Sequence, residues 1–146
     1  MNANSTWAKT PLPRSPPVVR HAYGLGVTVG GLLRADPVDG FPPGTPLGVP
    51  DTVSWHGVGH FAAGGLGFLS LSIAGLVLAR WFRRRGEPRW SLFSLAAGLG
   101  YPASFAIAAA GAGTAVGNLA LTAAVLLGWA WITLLPHRAD RAGGLR

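Results

Sequence analysis

Long apolar runs separated by short polar breaks predict that most of this chain is helical and lies in a membrane. The run 61–79 holds nineteen residues without a charge, enough to cross a bilayer at about 1.5 Å per helical residue. The run 90–136 has no acidic, basic or histidine residue over forty-seven positions, which suits two spans joined at a Gly-rich turn, 111–114. These runs predict helices at about 54–82, 91–110 and 115–135.

The first apolar stretch, at about 18–34, is short, and the sequence leaves its role open. Sixteen helical residues reach roughly 24 Å, less than a hydrocarbon core of about 30 Å. The stretch can be a short span, the hydrophobic region of a signal peptide, or an interfacial or re-entrant segment. We adopt the short span, which gives an all-α integral membrane bundle of about four transmembrane helices at 18–136. A disordered Pro-rich arm at 1–17 and a basic tail at 137–146 flank it.

Composition supports the membrane class and excludes several others. Charged residues make up 12% of the chain, about half of what a soluble domain carries, and the mean hydropathy is positive. The net charge of +7 does not indicate a nucleic-acid partner, because the basic residues cluster beside the apolar runs. The chain has no cysteine, which excludes disulfides, thiolate metal sites and thiol nucleophiles. The low charge and the positive mean hydropathy make the lipid bilayer the first partner expected.

The basic residues also predict an orientation. With four spans, eleven of the twelve Lys and Arg residues fall on one side, all but Arg34. By the positive-inside rule that side is cytoplasmic, so we expect a multi-pass plasma-membrane protein with both termini in the cytoplasm and the loop 35–53 outside. The tryptophans agree with two interfacial belts, an outer one at Trp55 and an inner one at Trp81, Trp90, Trp129 and Trp131.

Several polar side chains are expected at one depth, near the outer ends of the helices. His60 lies twenty residues before Arg80, about 30 Å along a helix, and Asn118 lies eighteen residues before Pro136, about 27 Å. Both therefore reach the outer edge of the hydrocarbon. The candidate polar cluster of this outer rim comprises Arg34, Asp36, Asp39, Asp51, His56, His60, Thr114 and Asn118.

Within this cluster, His56 and His60 are four residues apart and share one helix face. That spacing suits a metal with a loop carboxylate as third ligand, but the chain lacks the Glu of an H-E-x-x-H pattern and a third histidine nearby. Hydrogen bonds to loop carbonyls or water are the simpler interpretation. We expect an ion pair of Arg34 with Asp36 or Asp39, and we predict neither a catalytic residue nor a cofactor.

One face of the predicted helix 54–82 consists of small residues and suits close packing against another helix. Gly59, Ala63 and Gly67 recur every four residues and form a smooth surface for a neighbouring helix. The predicted function is a structural or partner-binding membrane subunit without catalytic activity, associating with itself or with another membrane protein. The alternative is a membrane enzyme or an ion- or proton-handling protein that uses the His/Asp cluster of the outer rim.

The polar loop carries a family resemblance. The stretch ADPVDGFPPGTP at 35–46, followed by W-H-x-x-x-H at 55–60, resembles the family called domain of unknown function 998. These are bacterial multi-pass membrane proteins, frequent in actinobacteria, and the resemblance covers about 23–135. Family members typically have about six helices, so the chain resembles their C-terminal four-helix part, with the Pro-rich arm in place of two leading helices. The resemblance implies location and fold, not chemistry.

Overall fold

The computed structural model describes residues 17–48, 51–110 and 114–143, and four helices account for most of them. They are α1 (Pro17–Leu32), α2 (Trp55–Arg84), α3 (Pro88–Ala110) and α4 (Ala115–Gly143). The predicted all-α bundle is confirmed: in these ranges the only β-type pairing is one isolated bridge in the loop after α1. The predicted arm, up to residue 16, and the predicted turn at 111–113 lie outside the described residues.

Three of these helices, α2, α3 and α4, are long and apolar enough to cross a membrane. Less than a third of the apolar window of each is buried inside the chain. On α2, for example, Leu66 is 64% exposed and Leu69 is 56% exposed. Water would penalise so much exposed apolar surface, whereas lipid tails are as apolar as leucine. The exposed surface therefore supports a membrane-embedded bundle.

The short helix α1 is held by backbone contact with α2. A Cβ atom on Gly26 would lie 2.6 Å from the carbonyl oxygen of Ala63 and 2.7 Å from Cα of Gly67, so only glycine allows this approach. The Leu33 side chain covers Gly59 on the same face of α2. The small-residue face singled out in the sequence thus packs against α1 of the same chain, and it is not open to a second protein.

The next two helix contacts also depend on glycine. A Cβ atom on Gly75 of α2 would lie 2.8 Å from Cα of Gly98 on α3, so these helices too meet backbone to backbone. Between α3 and α4, the ring of Tyr101 lies over Gly128, where a Cβ atom would come within 2.5 Å of the tyrosine hydroxyl. Tyr101 is fully buried and stacks on Phe68 with ring centroids 4.7 Å apart.

Two indole groups supply hydrogen bonds between the helices. Trp131 Nε1–H donates to the Ser94 hydroxyl at 2.9 Å, and Trp129 Nε1–H donates to the Tyr23 hydroxyl at 3.1 Å, which links α4 to α1. Trp131 is 2% exposed. The ring therefore faces the inside of the bundle: its N–H group has a partner there, and this lets the whole ring be buried.

At the opposite end of the bundle from the polar loop, a tight turn joins α2 to α3. Gly86 adopts φ +72°, the left-handed conformation that commonly ends a helix. The turn presents Glu87, whose carboxylate lies 2.7 Å from Arg138 Nη2 and 3.5 Å from Arg85 Nε. The last helix continues to Gly143, well past its predicted end near 135, and this extension brings Arg138 to Glu87.

We expect the α2–α3 crossing to be intolerant of a single methyl group. Gly75→Ala should lower the free energy of unfolding by about 1–3 kcal/mol, because the added Cβ must push α3 away. Gly65→Ala on the same helix is the matched control, since nothing lies within 4 Å of its Cβ position. Thermal unfolding in detergent measures both, and equal unfolding temperatures would contradict the backbone contact.

Candidate functional site

At the outer rim, His60 of α2 closes the C-terminal end of α1. Its Nδ1 lies 2.7 Å from the Gly30 carbonyl oxygen and 3.0 Å from that of Leu33. Because carbonyl oxygens only accept, Nδ1 carries the proton and donates. The last carbonyls of a helix lack partners within the helix, and His60 supplies one. Gly30 lies in the last turn of α1, and Leu33 is the first residue after it, so His60 bonds to one helix-end carbonyl and to one carbonyl of the loop segment that the sequence favoured.

Asp36, four residues after α1, closes the N-terminal end of α2 in return. Its Oδ2 accepts from the Ser54 N–H at 2.9 Å, and the Ser54 hydroxyl accepts from the Gly57 N–H at 3.0 Å. A Cβ atom on Gly57 would overlap the Asp36 carboxylate, so the carboxylate lies directly against the first turn of α2. Helix N-termini favour a negative charge. Hydrogen bonds from Ser54, assisted by the nearby His56, hold the pKa of Asp36 below its usual range.

Asp39 stabilises the loop that follows. Asp39 and Gly40 have φ of +50° and +80°, the two left-handed positions of a tight hairpin turn between the paired residues Val38 and Phe41. The Asp39 carboxylate accepts from the Gly48 N–H at 3.3 Å, and its own N–H donates to the Gly48 carbonyl at 3.1 Å. The loop is therefore held by its own hydrogen bonds.

The expected ion pair between Arg34 and Asp36 or Asp39 is not formed. In the described part of the chain, both ion pairs involve Glu87, at the opposite end of the bundle. Asp36 is hydrogen-bonded at the start of α2 and Asp39 within its own loop, which turns both carboxylates toward backbone N–H groups. Arg34 is exposed.

Four members of the outer-rim cluster line one cavity of about 930 Å³, namely Arg34, Asp36, Asp39 and Asn118. The same cavity is lined by Ala115 at the start of α4 and by apolar loop residues that the sequence analysis did not single out: Ala35, Pro37, Val38, Phe41 and Pro42. The remaining cluster members, Asp51, His56, His60 and Thr114, do not line it.

Two of those remaining members have local contacts of their own. The His56 ring is exposed and stacks on Trp55, with ring centroids 3.5 Å apart. The Thr114 hydroxyl accepts from the Gly117 N–H at 3.3 Å and so caps the start of α4. Among the side chains that the structure describes, no group of three His, Asp or Glu residues lies close enough together to hold a metal ion.

Two residues at the opposite end of the bundle, Glu87 and Arg138, form a contact that was not predicted. Glu87 is the one acid among the basic residues at 80–89, and a lone acid in a basic cluster was a signal for an ion pair. Its partner Arg138 was assigned to a basic tail. The pair joins the α2–α3 turn to the last turns of α4.

A family model described as "Protein of unknown function (DUF998)" matches residues 4–137. The match includes the Pro-rich residues from position 4 onward, which the resemblance over 23–135 did not cover. No curated protein and no solved structure matches the chain.

We expect acid to weaken the hydrogen bonding of the Asp36 carboxylate at the start of α2. Because the folded-state pKa of Asp36 is lowered, its contribution is present at neutral pH and is lost as pH falls below about 4. Thermal unfolding between pH 7 and pH 3 should therefore show a smaller acid-induced loss for Asp36→Asn than for the wild type. Asp51→Asn, at an exposed position on the same rim, is the control and should keep the wild-type pH dependence.

Proposed function

We propose that this chain, which belongs to the DUF998 family, is a non-catalytic multi-pass membrane subunit that binds a membrane partner. One observation carries the proposal: three of the outer-rim side chains with the potential for chemistry already serve the fold. His60 caps α1, Asp36 caps α2 and Asp39 stabilises the loop. A catalytic acid or base must be able to reach a substrate proton, and hydrogen bonds within the fold limit that reach.

The loop and the start of α2 supply a surface for such a partner. Phe41 is 75% exposed and Leu47 is 84% exposed, although the loop between them is held by internal hydrogen bonds. At the start of α2, Val53 is 61% exposed and Trp55 is 71% exposed. Large apolar side chains displayed on a pre-organised loop are typical of protein contacts. We propose a second copy of this chain or another membrane protein as the partner.

We further propose a plasma-membrane location with both termini in the cytoplasm and the loop outside. The support is the clustering of basic residues at one end of the bundle. Arg83 and Arg84 are exposed at the end of α2, and Arg89 is exposed at the start of α3. Among the basic residues that the structure describes, only Arg34 lies at the other end, and a strong bias of this kind is typical of the cytoplasmic side.

A second candidate function is an ion- or proton-handling protein or a membrane enzyme. The observation that favours it is the position of His56 on the first turn of α2, the turn against which the Asp36 carboxylate lies. His56 is exposed at the outer rim, so its imidazole is accessible from the medium.

His60 variants separate the two functions. Asparagine can place an amide N–H where Nδ1–H donates, so His60→Asn should keep stability close to wild type. His60→Ala leaves the α1 carbonyls without this donor and should lower the free energy of unfolding by about 1–2 kcal/mol. Thermal unfolding and the co-purification of two differently tagged copies are measured for both variants.

The proposal expects wild-type and His60→Asn copies to co-purify equally well. If His60→Asn were as damaging as His60→Ala, a histidine-specific role would be indicated and the second candidate favoured. If wild-type copies did not co-purify, a second copy would be excluded as the partner, and another membrane protein would remain.

Single cysteines test the orientation, since the natural chain has none to remove. We expect an impermeant thiol reagent added to intact cells to label Leu47→Cys in the exposed outer loop. Arg84→Cys, at the exposed inner end of α2, should react only after the cells are opened. The reverse pattern would contradict the orientation.

A further inference from the structure

The outer-rim cavity lies at the depth where lipid headgroups meet the hydrocarbon. It is bounded by the segment that follows α1 and by the first turn of α4. Asn118 lies three residues into α4 from Ala115, about 4.5 Å along the axis. On the other side, the end of α1 is fixed to His60, the residue placed at the outer hydrocarbon edge by its distance from Arg80. With the proposed orientation, the cavity therefore lies at the headgroup level of the outer leaflet.

Both signs of charge line this cavity without neutralising each other. Arg34 pairs with no carboxylate among the described residues, and its guanidinium offers donors in a planar fork that suits a phosphate. Asp36 and Asp39 each accept a backbone N–H, and a carboxylate has capacity for further donors. A ligand that carries a phosphate and an ammonium group would satisfy both signs.

The rest of the lining fits the same chemistry. Ala115 begins α4, and the N-terminal end of a helix favours a phosphate through its N–H groups and dipole. Val38, Phe41 and Pro42 add apolar surface beside the charged groups. The cavity thus joins a charged part to an apolar part at the depth where a phospholipid does the same.

We propose that this cavity binds the phosphoethanolamine headgroup of a zwitterionic phospholipid. Arg34 and the start of α4 bind the phosphate, Asp36 and Asp39 bind the ammonium group, and the apolar lining contacts the glycerol end of the acyl chains. The site goes beyond the proposed function, since a subunit can bind its partner with or without a bound lipid. The same headgroup chemistry occurs in free phosphoethanolamine, which the experiment treats separately.

The test uses the full chain purified in detergent and native mass spectrometry to count bound lipid. Dioleoyl phosphatidylethanolamine should bind at a ratio of one per chain and be preferred over phosphatidylglycerol, which lacks the amine. Arg34→Gln should weaken phosphatidylethanolamine binding at least about tenfold, because it removes a charge-assisted contact. Arg84→Gln is the matched control, since this exposed arginine lies at the opposite end of the bundle.

Asp39→Asn tests the ammonium contact without dismantling the loop. Asparagine keeps an oxygen that can accept the Gly48 N–H, and it tolerates the φ of +50° at this position. It should weaken phosphatidylethanolamine binding and reduce the preference over phosphatidylglycerol. Unfolding temperatures measured without added lipid verify that the variants are folded.

Each outcome decides the proposal. Free phosphoethanolamine is added as a competitor. If it displaces the lipid, and if Arg34→Gln and Asp39→Asn weaken its binding as much as they weaken lipid binding, the site chemistry is supported and the natural ligand is soluble. Equal binding of phosphatidylglycerol would overturn the proposal, as would equal losses in Arg34→Gln and Arg84→Gln. Copies that co-purify but bind no phosphatidylethanolamine would overturn this inference and leave the proposed function intact.

Discussion

Backbone contact at glycine is the constraint on which the rest of this structure depends. Lipid tails are as apolar as leucine, so hydrophobic burial does little to associate helices inside a bilayer, and close packing must do so. Gly26 against Gly67 and Gly75 against Gly98 bring three helices together at distances that no Cβ atom allows. The contact between Gly26 and Gly67 matters most for the outer rim. Because α1 has only sixteen residues and is short for a bilayer, its position depends on this contact with α2.

Once α1 is held against α2, the two helices complete each other at the outer rim. His60 of α2 donates to the last carbonyls of α1, and Asp36, just after α1, accepts from the backbone where α2 begins. Each helix thus supplies the group that the other lacks at its end, where four backbone groups have no partner of their own. This reciprocal capping fixes the segment from Arg34 to Asp36, and that segment forms one wall of the cavity. The crossing of α1 and α2 therefore determines where the candidate site lies.

The opposite end of the bundle is joined in a different way. There Glu87 in the α2–α3 turn binds Arg138, and buried Trp131 donates to Ser94 between α3 and α4. These contacts between helices use charge and an indole N–H group. Polar bonds at both ends, with glycine contacts between them, give the chain a defined arrangement although much of its apolar surface faces outward.

The sequence predicts a depth for the outer rim because helical rise is constant. Counting residues back from Arg80 placed His60 at the hydrocarbon edge, and the same arithmetic placed Asn118 there. It could not assign partners, because several groups at one depth compete for the same hydrogen bonds. Arg34 was expected to pair with Asp36 or Asp39, yet backbone N–H groups bind both carboxylates. The burial of Trp131 likewise depends on a serine of another helix, which accepts its indole N–H.

The sequence by itself determined the class of the protein, the approximate course of its helices and its family. Those properties follow from local features that each segment carries alone: apolar length, charge placement and the loop motif at 35–46. Only the tertiary structure decided that the Gly59/Ala63/Gly67 face packs against α1, that His60 and Asp36 cap opposite helix ends, and that four rim residues line one cavity. The physical reason is that a helix face or a polar group has many possible partners along the chain. The choice among them is made by close approach in three dimensions, where one missing Cβ atom decides which backbones can meet.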